Sequence, residues 1–262
     1  MNKGFNKETI VLSLVAIVLV TGIVIYSRLV SLDPYSWDHR NPCYPSSYSD
    51  WTEYQIDPET ILTSLDQKDT NVFTPMLVTP SSDAQFPPRN TFLWTQSDYL
   101  KIANALSQHE WNEPLDLKNW SVYYLAFGGE CQGNTSGYNH MEITYYKTIK
   151  GIVGKTYQAR HIEIYPFASE VGIGDSSSFD RRYFVGNNPI DLTKFKISAD
   201  DALRIAEENG EKDVRLKYQD GCSISIRMPI HNYDDSWEVD YFDLKMAVNP
   251  YTGKFRIINT NK

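Results

Sequence analysis

The chain has 262 residues and a formal net charge of −8. Residues 1–30 carry Lys3, Lys7 and Arg28 against Glu8, so the remainder holds −10 with no basic stripe, which argues against nucleic acid as a partner. The length suits one large domain or two small ones, and 18 Tyr and 6 Trp point to aromatic-rich strands.

In chain order, the first element is an apolar run. Residues 10–26 hold no charge, and only Ser13, Thr21 and Gly22 dilute them. That length falls at the lower end of the roughly 17–25 apolar residues that cross a bilayer core. Lys3 and Lys7 ahead of the run outweigh Arg28 behind it, which favours a cytoplasmic N-terminus. The expectation is a retained single-pass anchor over residues 1–30, with residues 10–30 in the lipid bilayer of the cell membrane and the remainder extracytoplasmic. A cleaved signal peptide is the rival reading. Its core is shorter and ends in an A-x-A-like site, which Tyr26-Ser27-Arg28-Leu29 fits poorly.

Residues 31–90 read as a tether and irregular segment. Pro34, Pro42 and Pro45 break up residues 32–50, and Asp57-Pro58-Glu59 starts a short helix ending near Leu65. Residues 74–90 are again loop-like. A second helix begins at Thr95, where Thr95 and Asp98 resemble a capping box ahead of the stripe Leu100, Ile102, Ala103 and Leu106. Period-two alternation then predicts half-buried antiparallel strands over 120–125, 140–145 and 161–165. The polar, Gly/Ser-rich residues 172–188 read as a linker or long loop. Ser198 and Asp201 cap a third helix, which carries Ala202, Leu203, Ile205 and Ala206 as its stripe and stops at Gly210. Strands follow over 214–218, 222–228, 237–248 and 254–258, the last two joined by the turn Asn249-Pro250-Tyr251-Thr252-Gly253.

Three features of residues 197–258 occur together: the capped helix Ser198-Ala199-Asp200-Asp201-Ala202-Leu203-Arg204-Ile205-Ala206, the segment Trp237-Glu238-Val239-Asp240-Tyr241, and Val248-Asn249-Pro250-Tyr251-Thr252-Gly253-Lys254-Phe255. In this order the segment resembles a PepSY domain, with a departure around residues 228–236 that affects the middle strand. Upstream, Thr95-x-x-Asp98-x-Leu100-Lys101-Ile102-Ala103 and Trp120-Ser121-Val122-Tyr123-Tyr124 align with the same helix and Trp segments and suggest a degenerate second copy. Any helix followed by antiparallel strands yields such matches, so both a repeat and a chance likeness stay open. The resemblance implies regulation in place of chemistry: PepSY domains accompany secreted metallopeptidases and membrane-anchored proteins, and no catalytic residue belongs to the motif. The expected fold class is therefore α+β, an N-terminal transmembrane helix followed by a helix-plus-antiparallel-sheet ectodomain. Its parts are an α+β unit at 91–171, as a degenerate PepSY-like copy, and a PepSY-like domain at 190–262.

The candidates for chemistry are His140-Met141-Glu142 and His161-Ile162-Glu163. Spacing of two puts each His and Glu on one strand face, and a hairpin turning near Val153 sets Glu142 opposite Glu163 with the two histidines diagonal. Two His and two carboxylates can hold zinc. The plainer reading is a wet sheet face opposite a core face of Met141, Ile143, Ile162 and Ile164. On that reading no metal, cofactor or catalytic residue is expected. Residues 151–156 fail as a phosphate loop because Ile149 stands where glycine is required. G-x-S-x-G, H-E-x-x-H and C-x-x-C are missing from the sequence. Of the three cysteines, Cys222 shares its strand face with Ile224, Ile226 and Met228, so elimination pairs Cys43 in the tether with Cys131 in a Gly-rich loop.

These readings converge on a membrane-anchored extracytoplasmic regulatory or binding protein with a protein partner such as a cell-surface peptidase. An extracytoplasmic ligand sensor or scaffold is the alternative, and a metal-dependent hydrolase built on the two H-x-E pairs ranks third.

Overall fold

A computed structural model describes residues 21, 50–69, 71–76, 94–116, 119–132, 135–151, 154–179, 190–217, 223–228, 236–241 and 244–258. Apart from Thr21, these belong to the compact unit of residues 47–262. The strands are β1 Asp50–Gln55, β2 Thr74–Pro75, β3 Ser121–Gln132, β4 Thr135–Gly151, β5 Gly154–Tyr165, β6 Glu170–Phe179, β7 Ser223–Met228, β8 Trp237–Tyr241, β9 Leu244–Val248 and β10 Phe255–Ile258. The helices are α1 Ile61–Asp66, α2 Gln96–Trp111, α3 Ala199–Ala206 and α4 Lys212–Lys217.

All ten strands form one antiparallel sheet in the order β10-β9-β8-β7-β3-β4-β5-β6-β1-β2. Two meanders, β3 to β6 and β7 to β10, join where β3 pairs with β7 from Leu125↔Met228 to Glu130↔Ser223. The register carries one row of side chains across nine strands: Ile257, Met246, Val239, Ile226, Phe127, Met141, Ile164, Val171 and Tyr54. All but Ile257 are buried, each such burial stabilising by about 1.5–3 kcal/mol. On this face α2 lies against β5 and β6, and α3 against β7, β8 and β9.

Of the three expected helix starts, the one at Asp57-Pro58-Glu59 is corrected, since α1 begins at Ile61 after Thr60 with no side-chain cap, and the other two form as read. The Asp98 amide donates to Thr95 Oγ1 at 3.2 Å and the Thr95 amide to Asp98 Oδ2 at 2.8 Å. Ser198 and Asp201 repeat the exchange at 3.1 and 3.3 Å. The two helix starts also interlock: the Gln96 amide donates to the Asp200 carboxylate at 3.1 Å, and the Ala199 amide to Gln96 Oε1 at 2.7 Å. In the final turn, Asn249 Oδ1 accepts from the amides of Tyr251 and Thr252, each at 3.0 Å, and Gly253 takes φ +71.

Several expectations are corrected. Among the described residues the fold is one ten-stranded antiparallel sheet with few helices, not separate helix-plus-sheet units. The physical reason is the β3–β7 pairing, which removes the edge each meander would otherwise expose. No helix among the described residues is long and apolar enough to cross a membrane. The run at 10–30 lies outside the described residues except for Thr21. Of the linker expected over 172–188, residues 172–179 are strand and 180–188 lie outside the described residues, and residues 50–55, read as tether and irregular segment, form β1. Residues 212–217 are helical, so the strand expected over 214–218 does not form, and 237–248 is a hairpin of two strands. Cys131 sits in β3 and not in a loop. Its expected bridge to Cys43 lies outside the described residues.

Candidate functional site

The H-x-E residues stand on the sheet face opposite the buried row. Glu142 and Glu163 are direct cross-strand partners, and Thr144 faces His161. His161 is 1% exposed and fixed at both ring nitrogens: Nδ1 lies 2.7 Å from Thr144 Oγ1 and Nε2 2.8 Å from Glu163 Oε1. An imidazole protonated at Nε2 fits both, donating to the carboxylate and accepting from the hydroxyl. The Tyr165 hydroxyl donates to the other Glu163 oxygen at 3.1 Å. His140 stacks on Tyr165 with centroids 5.7 Å apart, and its Nδ1 lies 2.8 Å from Asn139 Oδ1.

The bare backbone of two glycines makes room for rings on this face. A Cβ at Gly128 would lie 1.8 Å from His140 Cε1, and one at Gly172 would lie 2.2 Å from Trp51 Cζ2. Trp51 also approaches His161, centroid to centroid at 6.0 Å, and donates from Nε1 to Glu53 at 2.9 Å.

The electrostatics follow from crowded carboxylates. Burial pushes the Glu142 carboxyl above its ordinary range, and Glu163 opposite adds to this while His161 and Tyr165 oppose it. Burial also raises Glu170, with Glu53 and Glu163 adding to the effect. The cross-strand pair places two carboxyl groups at adjoining positions of one face, an arrangement that draws positive charge.

The structure thus brings Glu142, Glu163 and His161 together, with His140 beside them on Tyr165. It does not assemble them around an ion. Among the described residues no three His, Cys, Asp or Glu groups come together to hold a metal. Both nitrogens of His161 already serve Thr144 and Glu163. Sequence reasoning missed Thr144, Tyr165 and Trp51. The period-two rule was enough to add Thr144 two residues after Glu142, and Tyr165 two after Glu163, to the same face. Nothing local ties Trp51 to it, because its strand pairs with β6 more than a hundred residues later.

A second buried charge cluster packs on the helix-bearing face. The Arg160 guanidinium lies between the rings of Trp111 and Trp120, at 4.2 and 4.5 Å from their centroids. It donates to Glu113 at 2.9 Å and stands 3.5 Å from Asp175. This ties the end of α2 to β5 by cation–π and ion-pair contacts and positions the sheet without offering a reactive group.

Comparison with protein-family models, with curated proteins and with solved structures finds no match. The PepSY resemblance therefore stands on the residues quoted for it.

Proposed function

We propose that the protein is a membrane-associated, extracytoplasmic regulatory or binding module that docks on another protein, with a cell-surface peptidase as the class the PepSY resemblance suggests. The observation that carries this reading is the end of the sheet. The apolar row that is buried across eight strands runs out on β10 at Ile257, which is 51% exposed, and Phe255 on the same face is 43% exposed. Edge strands present backbone donors and acceptors to a further strand, and proteins blunt them with charge, proline or a covering element. Of Phe255-Arg256-Ile257-Ile258, only Arg256 is charged. An extended segment of a partner can add there as the next strand, with main-chain hydrogen bonds for affinity and the two side chains for specificity.

The uncharged run at 10–26 supports a place at the cell membrane, and the proline-rich residues that follow it support a tether that raises local concentration near other membrane proteins. The commitment of both His161 nitrogens to Thr144 and Glu163 favours binding over metal-dependent hydrolysis.

The test is affinity capture from membranes with the chain as bait beside its Phe255→Asp/Ile257→Asp form. The reading predicts an enriched peptidase with the parent chain and its loss with the double variant. Equal capture by both forms contradicts docking at β10, and capture without a peptidase contradicts the partner class.

The ligand-sensing alternative draws on the raised Glu142 carboxyl beside Glu163. It predicts that small organic cations raise the melting temperature of the parent chain and not of Glu142→Gln.

A further inference from the structure

Between α3 and α4 the chain does not run as a continuous helix. Residues Glu207–Glu211 form a wide turn in which Asn209 (φ −115°, ψ 25°) and Gly210 (φ 128°, ψ −20°) leave helical conformation. Gly210 sits against Leu244 of β9 and takes a φ that other residues rarely adopt. Glu211 follows immediately. Its side chain is 0% exposed, and neither carboxyl oxygen has a hydrogen-bond partner.

Among the described residues neither oxygen meets a donor, and the charges that bear most on the group are like charges. From its own turn comes Glu207, a like charge. From α4 comes Arg215, whose Nε and Nη2 lie 3.1 and 3.0 Å from Glu207. From β8 come Asp240, a second like charge, and Tyr241, whose hydroxyl donates to Glu207 at 2.6 Å. On β9, Lys245 lies 2.7 Å from Glu238, and on α3, Arg204 serves Asp201 and Glu208. An isolated buried carboxylate is among the most costly groups a fold can hold, whereas a neutral carboxyl in the same place costs far less.

We propose that Glu211 is a proton-held latch: in its neutral form it keeps α4 closed on the sheet, and its ionisation releases Glu211–Lys217 about the hinge at Asn209–Gly210. Four features support local release over global unfolding. The hinge is already non-helical, α4 has only six residues, the glycine at φ 128° sits next to the latch, and the strand ladders of the sheet include no pairing from Glu211–Lys217.

The sign of the pH effect follows from proton linkage. Burial first, then Glu207 and Asp240, push the Glu211 carboxyl up to about 9 from an ordinary 4.5. The closed form binds this proton more tightly than the open form. Closure is therefore fully favoured below the ordinary value and weakens as pH rises from there, levelling off above the raised one. One proton is involved, so the opening equilibrium changes about tenfold per pH unit across that window.

The experiment is hydrogen exchange on the full-length chain from pH 5 to 9, corrected for the intrinsic pH dependence of amide exchange, in the parent and in Glu211→Gln. The parent should lose protection at residues 211–217 by about tenfold per pH unit, with β3, β4 and β5 unaffected. The Gln form should stay closed at every pH. A parent without a pH slope at 211–217 overturns the proposal, as does a Gln form with the parent's slope. So does a parallel loss of protection in β3–β5, which would make the opening global. The parent profile alone decides between local and global opening if the Gln form does not fold.

Discussion

The side chains that make the candidate site distinctive are Glu142 and Glu163, because the fold sets two carboxyl groups face to face and half-buries Glu142. The substitution Glu163→Gln keeps the size of that side chain and removes its charge. Glu163→Gln should lower the Glu142 titration midpoint, since the opposing charge disappears, while burial, the larger cause, keeps it above the ordinary carboxylate range. Carbon-13 NMR of the Glu142 carboxyl over a pH series measures this, and an unchanged or raised midpoint would show that Glu163 does not act on it. At this scale the alternation in the sequence was informative: it set Glu142 opposite Glu163, and the register agrees. The same register also sets Thr144 opposite His161, but alternation alone does not give the hydrogen bonds that His161 makes. A hydrogen bond to Thr144 depends on how two strands align, and that is decided by the turn and the core face together.

At the scale of elements, the helix starts were legible and part of the sheet was not. Thr95/Asp98 and Ser198/Asp201 form reciprocal caps because the signal is local, three residues long and chemically specific. The same locality explains the failures. Residues 170–179 carry only Val171, Ile173 and Phe179 as strand formers among Gly172, Gly174 and three serines, so the local pattern reads as polar and flexible. They are held as β6 by neighbours far away in sequence, β1 on one side and β5 on the other. Gly172 has a positive reason to be small, since the Trp51 ring occupies the space of a Cβ. Gly172→Ala should therefore displace a rigid indole and cost about 1–3 kcal/mol. Urea unfolding with tryptophan fluorescence measures that cost, and a variant as stable as the parent would show that Trp51 yields freely. Residues 214–218 erred in the opposite direction. Val214 and Leu216 alternate as in a strand, but the turn at Glu207–Glu211 and the Arg215–Glu207 pair carry the chain on as helix.

For the whole molecule, the joining of β3 to β7 makes two similar successions, a helix followed by four strands, share one sheet. The interlock of Gln96 with Asp200 and Ala199 joins their helices at the other layer. Trp120 reports on one meander and Trp237, which donates to the Ile197 carbonyl at 3.0 Å, on the other. Single-tryptophan forms retaining one or the other should unfold at the same urea concentration, as a single cooperative unit requires. Two separated midpoints would mean that the meanders are independent. No local pattern predicts this union, because each meander alone reads as complete.

Among the described residues the shared apolar row is exposed on β10, at Phe255 and Ile257, where docking is proposed. A photo-crosslinking phenylalanine analogue at position 255, with the same analogue at Lys194 as an exposed control outside β10, tests it in intact membranes. The account predicts crosslinks to an extracytoplasmic protein from position 255 and none from position 194. Crosslinking that is absent at 255, or equal at both positions, would contradict it.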